Sequence, residues 1–150
     1  MAGLYFHIPF CRRICAYCDF FRSAELKWLP AAGQAMHAEM DEQRDFLCDS
    51  NIRTIYFGGG TPSLVEPSQV QLLIDHAARL WDCSQVGEIT LEANPDDITP
   101  EYVEALRSTD VNRVSLGVQS FDDEELRFMN RRHSAADAAD AVRRLQDAGI

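Results

Sequence analysis

Apolar and polar residues alternate in four short runs of the chain, at residues 3–8, 53–58, 88–93 and 112–118, and each run is followed by a stretch with helical spacing. Side chains two apart share a strand face. One face groups Leu4, Phe6 and Ile8, then Ile55 and Phe57, then Ile89, Leu91 and Ala93, then Val114, Leu116 and Val118. The opposite faces carry Gly3, Tyr5 and His7, then Tyr56 and Gly58, then Thr90, Glu92 and Asn94, then Ser115, Gly117 and Gln119. The first set is suited to packing on helices. The second is small or polar in every run.

The helical stretches are punctuated in the same way. After the second run Val70, Leu73, Ile74, Ala77 and Trp81 fall on one helical face, with Pro67 near the first turn, where its missing NH costs nothing. Met36, Met40, Gln43 and Leu47 keep a looser version of that spacing after the first run. Thr99-Pro100-Glu101 reads as an N-cap, a first-turn proline and a carboxylate matched to the helix dipole. After the fourth run Ala138, Val142 and Leu145 share a face, and Gly149 stands where a C-cap would end the helix. Strand and helix in alternation predict an α/β fold built from parallel βα units.

A doubly wound sheet, covered on both faces, makes both faces apolar. Here one face is polar, which favours a curved, barrel-like sheet lined for a ligand, with chemistry at the carboxyl ends of its strands; the open sheet stays as the alternative. Four strands do not close a barrel, and the last would be left with an unprotected edge. Residues 1–150 are therefore expected to form the amino-terminal part of a core domain within a longer polypeptide. No linker, low-complexity tract or repeat divides them.

Composition narrows the class. With 150 residues, 46% of them apolar and 25% charged, the chain is a globular domain with a real core. Its 24 acidic and 14 basic side chains give a net charge of -10, which argues against nucleic acid or an anionic membrane as partner. No apolar run approaches a membrane span, and MAGLYFHIPF has neither a basic n-region nor a cleavage pattern, so the expected compartment is the cytoplasm.

Cys11-x-x-x-Cys15-x-x-Cys18 is the strongest chemical signal. A structural zinc site closes with four ligands, commonly in separated C-x2-C pairs. Three thiolates on one short loop suit instead a cubane iron-sulfur cluster with one iron left open. Disulfide pairing, or zinc completed by Cys48 or Cys83, are the alternatives. Arg12, Arg13 and Arg22 against Asp19 make this segment basic within an acidic chain, which stabilises thiolates.

Gly58-Gly59-Gly60-Thr61-Pro62 follows the second run. Glycines there let a ligand approach bare backbone, and without a G-K-[ST] ending this is not a P-loop. Glu92, on the polar face, needs a partner if it points inward, whether a ligand hydroxyl or amine or a neighbouring backbone group. Gln119 holds the matching position in the fourth run and can both donate and accept. Each strand end thus carries a candidate contact.

The cysteine motif, Gly58-Gly59-Gly60-Thr61-Pro62 and Glu92-Ala93-Asn94-Pro95, in that order after three strands, resemble the radical S-adenosylmethionine (SAM) enzymes. Tyr5-Phe6-His7-Ile8-Pro9-Phe10-Cys11, Gly117-Val118-Gln119-Ser120-Phe121 and Asn130-Arg131 are similar to the HemN-like branch, which takes in oxygen-independent coproporphyrinogen III oxidases and heme chaperones. The resemblance implies a six-stranded (β/α) barrel, of which this chain would supply the first four units. It implies a [4Fe-4S] cluster on Cys11, Cys15 and Cys18, with SAM chelating the open iron. It further implies reductive cleavage of SAM to a 5'-deoxyadenosyl radical, and hence an electron donor. By position, Tyr5, Gly59, Gly60, Thr61, Glu92, Gln119 and Arg131 match the family's SAM contacts, with Tyr17 beside the cluster.

One departure bears on function. The oxidases of this branch carry a further cysteine two residues after the motif and an extension ahead of the first strand, whereas here Phe20 holds that position and the strand starts at Gly3. Both differences resemble the heme chaperones, whose partners are heme and recipient hemoproteins. Decarboxylation of coproporphyrinogen III is the alternative, and a radical SAM reaction on another substrate is a third.

Overall fold

The computed structural model describes residues 2–47 and 51–150. Its order is β1 (Ala2–Ile8), α1 (Leu29–Gln43), β2 (Ile52–Gly59), α2 (Pro67–Leu80), β3 (Glu88–Ala93), α3 (Pro100–Leu106), β4 (Arg113–Leu116), α4 (Asp123–Phe128) and α5 (Ala135–Asp147). The strands form one parallel sheet in the order β1-β2-β3-β4. Parallel crossovers are right-handed, so strands added in chain order bring successive helices to the same face. A doubly wound sheet would reverse its strand order part-way. The described strands do not, and the winding is that of a (β/α) barrel's amino-terminal portion.

The register places Phe6, Phe57, Leu91 and Val114 in one row across the sheet. Phe6 and Phe57 stack at 4.8 Å, and Phe57 and Leu91 are fully buried. Each such side chain contributes about 1.5–3 kcal/mol relative to exposure. Val70, Leu73, Ile74 and Ala77 of α2, Val103 and Leu106 of α3, and Ala141 and Leu145 of α5 close this layer. On the other face Tyr5 and His7 are exposed and Tyr56 and Glu92 half-buried. Thr90 is the exception: it is buried, donating to Glu88 and accepting from Arg113.

Local chemistry sets the element ends. Thr99 accepts from the Tyr102 NH, as its N-cap position requires, and Ser134 and Asp137 form a capping box on α5. Gly149 takes a left-handed φ of 81°. Several expectations need correction. Helix α1 stops at Gln43, which is exposed, and Leu47 packs on the core from beyond it. On α5 Ala141 is buried in place of Val142, because the inward face runs through Ala138, Ala141 and Leu145 at i, i+3 and i+7. Helix α4 was not marked by any apolar period; its signals are the Asp122 N-cap and the acidic first turn.

The largest revision is β4. It ends at Leu116, paired with Ala93, because β3, its neighbour among the described strands, runs out there before Pro95, which has no NH to continue the ladder. Val118 and Gln119 therefore lie in a turn, and Gln119 has φ 69°. His133 holds that turn: it is 4% exposed, and its Nε2–H donates to the Val118 carbonyl at 2.9 Å. Burial pushes this imidazole below its ordinary value of 6.5. The folded state thus favours the neutral ring and the unfolded chain takes up the proton first as pH falls. Stability is expected to be full above pH 6.5 and to decline below it, and His133→Gln should flatten part of that slope in urea melts between pH 8 and 5.5. An equal slope in the variant would remove His133 from the account.

Among the described residues no helix is long and apolar enough to cross a membrane.

Candidate functional site

The carboxyl ends of the strands surround a cavity of about 330 Å3, walled by the cysteine loop, the glycine loop, the ends of β3 and β4, and Arg131. Cys11, Cys15, Cys18, Tyr17, Gly59, Gly60, Thr61, Glu92, Gln119 and Arg131 all line it. Tyr5 does not. It lies further back along the polar face, stacked on Tyr56 at 5.9 Å, with its hydroxyl 3.2 Å from His7 Nδ1.

The cysteine loop is fixed from three sides. At its base the Cys11 NH donates to the Ser23 carbonyl and the Ser23 NH to the Pro9 carbonyl, closing the loop on itself. From the turn after α4, Asn130 Nδ2 donates to the Ile14 carbonyl at 2.8 Å, and the Ala16 NH donates to the Met129 carbonyl. From the glycine loop, the Thr61 hydroxyl donates to Cys11 Sγ at 3.5 Å. Burial pushes the Cys11 thiol above its ordinary value, while the Thr61 hydrogen bond and the Arg22 charge oppose the rise.

Cys11, Cys15, Cys18 and Cys83 are free thiols, so no described cysteine is paired. Among the described residues no three His, Cys, Asp or Glu side chains converge as ligands of a single ion would. Cys83 follows α2, next to Asp82, whose carbonyl accepts from the Ile52 NH at the amino end of β2. It is at the wrong end of the strands to complete a site with the loop thiols. Cys48 lies outside the described residues.

The glycine loop works differently from its sequence reading. A Cβ on Gly60 would come within 2.7 Å of the Phe10 carbonyl oxygen and 2.8 Å of its nitrogen, so the glycine is required by neighbouring protein backbone. Its NH donates to Ile8 O at 2.8 Å, and the Gly59 NH, at φ 113°, donates to Glu92 Oε2 at 3.1 Å. Both amides are engaged, and the Gly60 carbonyl accepts no hydrogen bond among the described residues. Glu92 also accepts from the Tyr56 hydroxyl at 2.7 Å. Its partners are thus protein groups, yet each carboxylate oxygen has a second lone pair, and Glu92 lines the cavity.

Arg131 joins the parts. One guanidinium nitrogen donates to Cys15 Sγ at 3.3 Å, the other to Asn94 Oδ1 at 2.9 Å and the Gly117 carbonyl at 2.6 Å, and its Nε is buried without a partner. Asn94 and Ser115, which sequence reasoning did not single out as site residues, line the same cavity. The register could have found Ser115, since it pairs with Glu92. Asn94 carried no signal beyond its place in the Glu92-Ala93-Asn94-Pro95 motif. Phe20, 71% exposed, completes the rim.

The chain is 39% identical over 149 residues to the heme chaperone HemW of Lactococcus lactis, covering 97% of this chain and 38% of that protein. It is 37% identical over 143 residues to the mouse mitochondrial radical S-adenosyl methionine domain-containing protein 1, covering 91% of this chain and 31% of that one. The solved structure of coproporphyrinogen III oxidase (HemN) from Escherichia coli superposes with a TM-score of 0.86 at 25% identity, over 98% of this chain and 34% of the oxidase. The chain thus spans about two fifths of the length of the HemW proteins it matches. The profile of the radical SAM superfamily matches residues 5–150, and the chain belongs to that superfamily.

Proposed function

We propose that this chain is the cluster- and SAM-binding part of a heme chaperone of the HemW type, acting in the cytoplasm with heme as cargo and hemoproteins as recipients. The observation that carries the reading is the convergence of three free thiols, a guanidinium on one of them and a carboxylate at a neighbouring strand end on one cavity. Donor chemistry fits a [4Fe-4S] cluster: three free thiols lie on one loop and line one cavity, and Arg131 offsets thiolate charge. The orphaned Arg131 Nε is a further donor for an anionic group such as a cofactor carboxylate.

When bound, the cluster supplies an electron to the sulfonium of SAM. The chain's own residues bind and orient. The Gly60 carbonyl offers an acceptor to an ammonium, Glu92 offers lone pairs to ribose hydroxyls, and Gln119, turned into the cavity by its left-handed backbone, can donate and accept. Tyr17 and Phe20 line the same cavity on the cysteine-loop side and are both exposed.

The second reading is an oxygen-independent coproporphyrinogen III oxidase, favoured by the superposition on HemN. Phe20 separates the two, because it puts apolar surface on the rim where the oxidases carry a thiol. Full-length protein is expected to bind heme and pass it to an acceptor apoprotein, and to form no protoporphyrinogen IX from coproporphyrinogen III with SAM and a reductant under anaerobic conditions. Multiple turnovers of product with no heme binding would replace the chaperone reading with the oxidase.

A further inference from the structure

The short Pro95–Asp97 turn after β3 carries a carboxylate that does not line the cofactor cavity. The Asp97 side chain is only 7% exposed, and a carboxylate so buried is costly unless donors meet its oxygens. They are met from three different loops. Oδ2 accepts from the Ser63 hydroxyl at 2.7 Å, while Oδ1 accepts from an Arg132 guanidinium nitrogen at 3.1 Å and lies 3.7 Å from Arg12 Nε. Arg132 is also paired with Asp96.

Each of these partners sits beside a group that holds a loop thiol. Arg12 follows Cys11 directly. Ser63 comes two residues after Thr61, whose hydroxyl donates to Cys11 Sγ. Arg132 follows Arg131, which donates to Cys15 Sγ. A second path runs through side chains: the Ser63 hydroxyl oxygen accepts from the Asn94 NH at 3.3 Å, and Asn94 Oδ1 accepts from Arg131 at 2.9 Å. The Asp97 NH in turn donates to the Asn94 carbonyl at 3.0 Å, which fixes the carboxylate relative to that residue. One buried side chain therefore gathers the cysteine loop, the glycine loop and the turn that carries Arg131.

We propose that Asp97 is a positioning residue of the cofactor site, fixing Thr61, Arg131 and the start of the cysteine loop through Ser63, Arg132 and Arg12 without itself touching cluster or SAM. The inference rests on the cluster- and SAM-binding reading above. A carboxylate is required because both of its oxygens accept at once. The amide of asparagine, nearly the same size, accepts on one side and donates on the other, so one of the two ties must break. Loss of the charge also leaves Arg12 with no ion pair among the described residues and Arg132 with Asp96 alone. Arg131, released on its Arg132 side, would then lose its single orientation toward Cys15 and the cavity.

The test uses full-length protein loaded with its cluster under anaerobic conditions. It reads iron content, the rate of iron loss to a chelator, SAM affinity by isothermal titration, and the EPR spectrum of the reduced cluster with and without SAM. Asp97→Asn is expected to load iron, to release it several-fold faster, and to bind SAM about 10-fold more weakly, with a spectrum that SAM alters less. Ser63→Ala, which cuts the side-chain path, should weaken SAM binding in the same direction. The double variant should be little worse than Asp97→Asn alone, because the two changes act on one path. Arg12→Gln, at a half-exposed position, should speed iron release and leave SAM affinity nearly unchanged. Val103→Ala, which loosens the helix layer, should lower Tm and move none of these readouts. Unaltered SAM affinity and iron release in Asp97→Asn, or equal changes in Val103→Ala, would overturn the positioning role and leave the cofactor reading standing. Should Asp97→Asn fail to fold, unaltered behaviour of Ser63→Ala and Arg12→Gln would overturn it equally. An unmutated protein that loads no cluster would remove both readings.

Discussion

Replacing any one of Cys11, Cys15 and Cys18 by alanine is expected to abolish iron-sulfur loading, while Cys83→Ala and Cys48→Ala leave about four irons and four sulfides per polypeptide. Each loop thiol is held by a different anchor: Cys11 by Thr61, Cys15 by Arg131, and Cys18 through its NH on the Cys15 carbonyl. Removing one leaves a cluster iron without its protein ligand, and neither Cys83 at the far end of the strands nor any other described thiol can replace it. Anaerobic reconstitution, iron and sulfide analysis and the visible absorption of the product measure the effect. Loss of the cluster in Cys83→Ala or Cys48→Ala, or one zinc per chain in the unmutated protein, would defeat the assignment.

Gly60→Ala is the second large effect. The added methyl would sit 2.7 Å from Phe10 O, 2.8 Å from Phe10 N and 3.0 Å from Ile8 O, all backbone atoms that cannot swing aside. Relief requires parting the exits of β1 and β2, which also breaks the 2.8 Å Gly60 N–H···O=C Ile8 bond. Overpacking of this kind costs about 1–3 kcal/mol, and a domain of this size loses roughly 2–4 °C in Tm for each kcal/mol. Because Thr61 follows directly and reaches Cys11, the variant should also load iron poorly. Gly33→Ala, where a Cβ meets nothing, should leave Tm unchanged or raise it. A Gly60→Ala protein with normal melting and full cluster content would contradict the close approach of the two loops.

The strands and the helix-facing side of the sheet were legible because period-two alternation and a covering helix layer are local facts written in local sequence. Phe6, Phe57 and Leu91 behave as their spacing requires. Helix α4 escaped because so short a helix completes too few turns to show an apolar period. Local sequence puts Gln119 on a strand because nothing in its own neighbourhood reveals that β3, its template, ends at Ala93. The glycine run suggests close ligand approach when seen in sequence, whereas Gly60 answers to Phe10, a residue distant in sequence. Arg131 could be named from its motif, but its threefold grip on Cys15, Asn94 and Gly117 is a long-range arrangement that no spacing encodes.

The anchoring of the cysteine loop by Asn130 and Arg131 sets an order of events during synthesis. Asn130 is separated from Ile14, and Arg131 from Cys15, by 116 residues. At about 5–20 residues per second, the ribosome delivers the thiols on the order of ten seconds before the side chains that will hold them. Through that interval the nascent chain presents three unprotected cysteines to oxidants and adventitious metals. Iron delivered early would meet a slack loop, so productive maturation waits for the polypeptide to pass residue 131. Cluster loading is thus expected to follow synthesis of the cysteine loop rather than to accompany it.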